Sequence, residues 1–183
     1  MTQLQSIVFF LLASFHSYSQ NIDYKQITDI AYMERLSHER LRDHNNLTGA
    51  TGNFDVKHYL CEWEVDPAIR YISGRVTVFF KMNENANSIS LDLMNAGLTT
   101  DSIHYHNVIV NFTHTHDVLQ LIFPVTLNAG MYDSISVYYH GVPPNTGFGS
   151  FVQTVHQGAP IIWTLSEPYG SRDWWPCKNG LDD

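Results

Sequence analysis

The chain has 183 residues, enough for one domain of ordinary size with a real hydrophobic core. It is 44% hydrophobic and 13% aromatic, a globular composition that leans towards β-structure. A formal net charge of -8 with only 10 Lys and Arg leaves no basic stripe to neutralise phosphates, which excludes nucleic acid as a partner.

Residues 1–19 read as a signal peptide. Ile7 to Phe15 is an apolar run of the right length and too short to span a bilayer, and Ser17 and Ser19 are the small residues that a cut before Gln20 requires. No Lys or Arg precedes the run, which is a departure from the usual pattern. A cleaved secretory signal is preferred over a buried strand, so the mature chain is expected to be secreted or periplasmic. No later segment is suited to a membrane span.

Residues 20–52 form a helical lead-in. Within it, 23–43 carry a loose apolar stripe of Ile27, Ile30, Ala31 and Leu41, with Thr28 as a cap and solvated charges between. Asn45, Asn46, Gly49 and Gly52 end it.

From Phe54 the period changes to two. Strands are expected at Phe54–Val65, Ile72–Lys81, Ser88–Leu93, Ser102–Tyr105, Val108–Thr113, Val118–Phe123, Tyr132–Tyr139, Phe151–His156 and Ile161–Leu165. Turn residues separate them: Asp66-Pro67, Asn95 to Gly97, His106-Asn107, His114 to Asp117, Asn128 to Gly130 and Gly158. Many short strands with regular turns predict an all-β fold, an antiparallel sandwich or saddle-like domain with a short N-terminal helix. Pro143 to Gly149 is the longest irregular stretch, either a rim loop beside the Trp-rich segment or a plain crossover.

That Trp-rich segment runs from Trp163 to Cys177 and holds three of the four tryptophans. Pro168, Gly170 and Pro176 interrupt any ladder, so it reads as a strand end entering a shaped loop. Glu167 and Arg172 sit among large apolar rings, where an unpaired charge is costly. Either they pair with each other inside a core plug, or they form a site.

Ten histidines raise the question of a metal. His104 and His106, and His114 and His116, are each spaced to share one strand face. The strand Val108–Thr113 puts the two pairs at opposite ends, so turn-flanking polar residues are preferred to a metal site. Cys61 and Cys177 permit a disulfide in a secreted chain. Cys61 sits mid-strand as a small apolar residue does, and unbonded structural thiols are the preferred reading.

Ser166-Glu167-Pro168-Tyr169-Gly170-Ser171-Arg172-Asp173-Trp174-Trp175-Pro176-Cys177-Lys178 resembles the end of the N-terminal β-domain of the aminopeptidase N family, zinc metallopeptidases of the gluzincin kind. Phe54 to Tyr59, Glu64 to Pro67, Tyr71 to Val76 and Tyr139 to Pro144 match earlier stretches of that domain in the same order. The resemblance runs from about residue 53 to the end.

It implies a domain over 53–183, incomplete at its C-terminus, followed in the family by a catalytic domain that holds the zinc. It implies substrate peptides bound through their free N-terminal ammonium, with Glu167 as the contacting carboxylate and Arg172, Trp174 and Trp175 as its support. A carboxylate in an aromatic, partly dry pocket attracts one ammonium strongly and rejects internal peptides that lack it. Leu165 stands where some members have Gln, so a second polar contact is expected to be lost, and Asn179 where most have Asp, so any ion pair that Asp makes is expected to be lost too.

No catalytic residue and no metal ligand is expected here. His38-Glu39 is followed by Arg42 where the zinc signature His-Glu-x-x-His needs its second His, and a guanidinium does not ligate zinc. The chain alone is therefore expected to lack cofactor and activity, as a fragment or remnant that relies on a catalytic domain in cis or on a neighbouring chain. The alternative is a non-catalytic secreted β-sandwich that binds peptide or glycan through its aromatic loop.

Overall fold

The computed structural model describes Thr28, Tyr32, Arg35 and residues 49–145, 149–166 and 169–180. Thr28, Tyr32 and Arg35 are helical and exposed; the rest of the expected lead-in helix, and the expected signal peptide, lie outside the described residues.

Ten strands follow: β1 (Phe54–Asp66), β2 (Ile69–Met82), β3 (Ala86–Asp92), β4 (Leu98–Tyr105), β5 (Val108–Ile109), β6 (Phe112–Thr115), β7 (Val118–Leu127), β8 (Tyr132–Gly141), β9 (Phe151–His156) and β10 (Ala159–Thr164). They form a five-stranded sheet in the order β1-β2-β8-β4-β5, a three-stranded sheet in the order β3-β7-β6, and a separate hairpin of β9 and β10. Every pairing is antiparallel. The fold is the expected all-β sandwich.

Alternation makes the core. Val76, Val78, Phe80 and Met82 of β2 point inward with Ile135, Val137 and Tyr139 of β8 and Ile103 and Tyr105 of β4. Ile89 and Leu91 of β3 and Leu119, Leu121 and Phe123 of β7 face them from the smaller sheet. Rings join the layers: Phe123 lies 6.0 Å from Phe80 and 5.1 Å from Tyr105. Burying such side chains stabilises the fold by about 1.5–3 kcal/mol each.

Turn chemistry fixes the registers. His106-Asn107, His116-Asp117 and Gln157-Gly158 all have positive φ at both positions, the type I′ geometry that matches strand twist. In consequence His106 and His116 sit in turns, so neither expected histidine pair shares a strand face.

Two expected strands come out differently. Val108–Thr113 breaks at Val110 and Asn111, with β5 joining the large sheet and β6 the small one. Val110 is buried and its amide bonds to the Ile103 carbonyl, continuing the β4–β5 pairing, and beyond it β6 pairs with β7 in the other layer. β7 continues past Phe123 through Pro124 to Leu127, and the ladder with β3 shifts register across that stretch. Proline is tolerated where the ladder is already interrupted.

Two of the sequence stretches singled out above contain a glycine with a steric reason. A Cβ on Gly74 would lie 2.6 Å from the Trp63 ring and 2.9 Å from the Glu62 carbonyl oxygen. Gly141, at φ 143, crosses so close to Gly97 that a side chain would overlap the Gly97 carbonyl.

Candidate functional site

The Trp-rich segment wraps one end of the sandwich. β10 ends at Thr164, and the Leu165 amide bonds to the Ser150 carbonyl at 3.3 Å. The Gly170 amide donates to the Ser166 carbonyl at 2.7 Å. Ser171–Asp173 is a single 3-10 turn, after which Cys177 pairs with Asp92 as an isolated antiparallel bridge.

Rings fill the space beneath. Trp174 is 7% exposed and lies 4.6 Å from Trp63 of β1 and 5.8 Å from Phe151 of β9. Trp175 meets Tyr59 edge-on at 5.0 Å. Aromatic pairs at these separations contribute about 0.5–1.5 kcal/mol each beyond their buried area. Trp63, the tryptophan outside the segment, thus joins Trp174 and Trp175 in one cluster. Its place on the alternating inner face of β1 was the only sequence signal of that.

Polar pins hold the segment where no ladder does. Trp174 Nε1 donates to Ser166 Oγ at 3.2 Å, and Tyr139 Oη donates to the Trp174 carbonyl at 3.0 Å. Burial pushes the Tyr139 hydroxyl well above the usual tyrosine range, which keeps it a donor. Ser150 Oγ donates to the buried Asp173 at 2.5 Å. The Met94 amide bonds to the Arg172 carbonyl at 2.9 Å.

Asp92 is fully buried and takes two backbone amides on its carboxyl group, Gly49 at 2.5 Å and Asn179 at 3.0 Å. Asn179 is used as well: its Nδ2 donates to the Tyr169 carbonyl at 3.1 Å. Sequence reasoning missed Asp92, since a carboxylate at a strand end gives no sign of what it will hold.

Among the expected site residues, Glu167 lies outside the described residues. Arg172 is half-buried, Trp174 buried and Trp175 half-buried, and all three belong to one packed segment. Leu165, at 40% exposure, faces solvent beside the Ser166–Gly170 turn, and so does Trp163, at 37%. The irregular stretch before β9 does adjoin this end. Arg70 donates to the Pro143 and Pro144 carbonyls and stands over the Phe151 ring, while Ser150 reaches Asp173.

The histidines are engaged separately. His114 Nε2 donates to the Leu93 carbonyl at 2.8 Å while Nδ1 meets Thr100 Oγ1 at 3.1 Å; His104 lies 4.8 Å from the Tyr138 ring; His106 bonds to Asp133. Among the described residues no group of three or more His, Cys, Asp or Glu could hold a metal ion, so the residues present do not fit a zinc centre. An open groove of about 560 Å³ at the β1–β2 tip, lined by Glu64, Asp66, Ile69, Tyr71 and Ser73 among others, includes no described residue of the Trp-rich segment. None of the described helical residues belongs to a helix long and apolar enough to cross a membrane.

No family model matches the chain, and no curated protein matches it in sequence. Solved structures do. A two-domain M1 zinc metallopeptidase mutant with bound L-arginine superposes with a TM-score of 0.61 and 25% identity, over 71% of this chain and 30% of that one. The M1 zinc metallopeptidase from Deinococcus radiodurans gives 0.59 and 27% identity over 69% and 29%. Native yeast LTA4 hydrolase shares the fold, at 0.59 and 19% identity, over 79% and 24%. The chain therefore spans less than a third of the length of each of these structures.

Proposed function

We propose that this chain carries the N-terminal β-domain of a secreted zinc aminopeptidase, and that its Trp-rich end docks the amino terminus of a substrate peptide. The likeness in fold and sequence to M1 zinc metallopeptidases over 71% of the chain is the observation that carries the reading. The local architecture supports it. Gly74 beneath Trp63, Gly141 against Gly97 and Cys177 bridged to Asp92 give physical roles to three stretches that resemble the aminopeptidase N domain.

In this reading Glu167 supplies the carboxylate for the peptide's α-ammonium. Its neighbours on the described side are the exposed Leu165 and the half-buried Ser166; on the other stands the buried Tyr169. A site bounded by rings and aliphatic carbons strengthens the attraction between carboxylate and ammonium as water leaves. Trp174 and Trp175 keep that frame rigid, and Arg172 supplies the local positive charge that favours an ionised carboxyl. Fixing the ammonium also fixes the distance to the scissile bond, which is a positioning effect. Zinc and the groups that activate water belong to a separate catalytic domain, and no step through the metal is assigned to these residues.

The test is Glu167→Ala in the whole enzyme, assayed on a free-amine amino-acyl reporter. Truncating one partner of a desolvated charge pair predicts a fall of about 100-fold in kcat/KM, with Glu167→Gln in between. Unchanged kinetics remove Glu167 from the site. Binding of peptide or glycan that persists in a chain with no catalytic domain to complete it favours the non-catalytic module instead.

A further inference from the structure

Neither thiol has a part in that reading, and both are unbonded. Their placement follows from packing. Tyr59, Cys61 and Trp63 share one face of β1, because the register shifts of that strand fall before and after them. Cys61 is half-buried there, packed against the core opposite Val76.

The two outer members of this row both grip the segment that carries Cys177. Tyr59 meets the Trp175 ring at 5.0 Å, and its hydroxyl accepts the Lys178 amide at 2.9 Å. Trp63 lies 4.6 Å from Trp174 and 6.2 Å from Trp175. Cys61 is the middle of the row, and Cys177 stands between Trp175 and Lys178. The packing therefore brings both sulfurs to one seam. Electrostatics agree, since Cys61 is among the groups that raise the Cys177 thiol and both thiols act on the Tyr139 hydroxyl.

We infer that Cys61 and Cys177 are a cross-linking pair, whose disulfide fastens residues 174–178 to β1. The oxidant is a small-molecule disulfide such as oxidised glutathione. The Cys61 thiolate attacks one of its sulfurs, breaking that S–S bond and releasing one glutathione thiolate. Cys177, deprotonated in turn, attacks the Cys61 sulfur of the mixed disulfide and releases the second glutathione. Two protein thiols become one S–S bond, and two glutathione thiols leave with the two electrons and two protons. Burial raises both thiols, Cys177 strongly, so the native chain reacts slowly at neutral pH and a refolding chain reacts faster.

The experiment refolds the full chain in a reduced and oxidised glutathione buffer and needs no catalytic activity. The expected product is a monomer lacking two hydrogens, with no free thiol and no glutathione adduct. Trypsin then releases residues 58–70 joined to residues 173–178, a pair that separates on reduction. Closing so long a loop constrains the unfolded chain, so Tm rises on the order of 10 °C and falls back with reductant. Cys61→Ser abolishes both the cross-link and the reductant-sensitive rise, and Cys177→Ser does the same by the other partner. Two persistent thiols, separate glutathione adducts on folded protein, a disulfide between chains, or a Tm indifferent to reductant would each overturn the assignment.

Discussion

In the middle of the sandwich, Val76, Val78 and Phe80 alternate inward with a ladder partner on either side, β1 on one and β8 on the other. Between Ser166 and Gly180 the described residues make no ladder longer than the single bridge from Cys177 to Asp92. The first region is held by apolar area and repeated backbone bonds, which are individually replaceable. The second is held by a few specific pins and by rings that stack on each other, and it leaves Trp63, Trp163 and Leu165 more than a third exposed. Regular alternation makes the body stable; irregular chain with costly, specific anchors makes a shaped surface beside it.

Three substitutions sharpen that contrast. Phe80→Ala empties the body at a ring that contacts both Phe54 and Phe123, and is expected to cost about 3–5 kcal/mol in chemical denaturation. A loss under about 1 kcal/mol would mean that the two sheets are not packed as described. Asp92→Ala removes the acceptor of two backbone amides, that of Asn179 buried, and about 2–3 kcal/mol should follow. Faster proteolysis of the C-terminal segment should accompany it, with the ladder of β2 and β8 still protected from hydrogen exchange. Equal loss of protection everywhere would erase the distinction between the regions. Trp163→Ala, on the exposed face of the β9–β10 hairpin, is expected to change stability by no more than about 0.5 kcal/mol. A large loss there would show that the hairpin belongs to the body after all.

Much of the body was legible because a period of two is a local signal. Phe54 and Phe151 were recognised as strand starts, and Asn107, Asp117 and Gly158 as turn residues, from chemistry within a few positions. Val108–Thr113 misled because nothing in its own residues reveals a change of layer. The change shows only in the pairing, since Val110 still bonds to β4 while β6 pairs with β7. Spacing allowed His106 and His116 a strand face, while the turn signals at the same positions, the preferred reading, are what the two-residue turns bear out. The Trp-rich end was recognised as irregular and aromatic, yet its anchors were not. Asp92, Tyr139 and Tyr59 are distant in sequence, and their roles exist only once the sheets are stacked. Asn179, noted in the sequence only as a departure from Asp, bonds through both its side chain and its amide.

The Asp92 carboxyl group has one further consequence. It receives Gly49, where the chain approaches β1, and Asn179, where the chain departs. Backbone from early and late in the described domain therefore meets on one carboxylate, so whatever loosens Asp92 frees both stretches together.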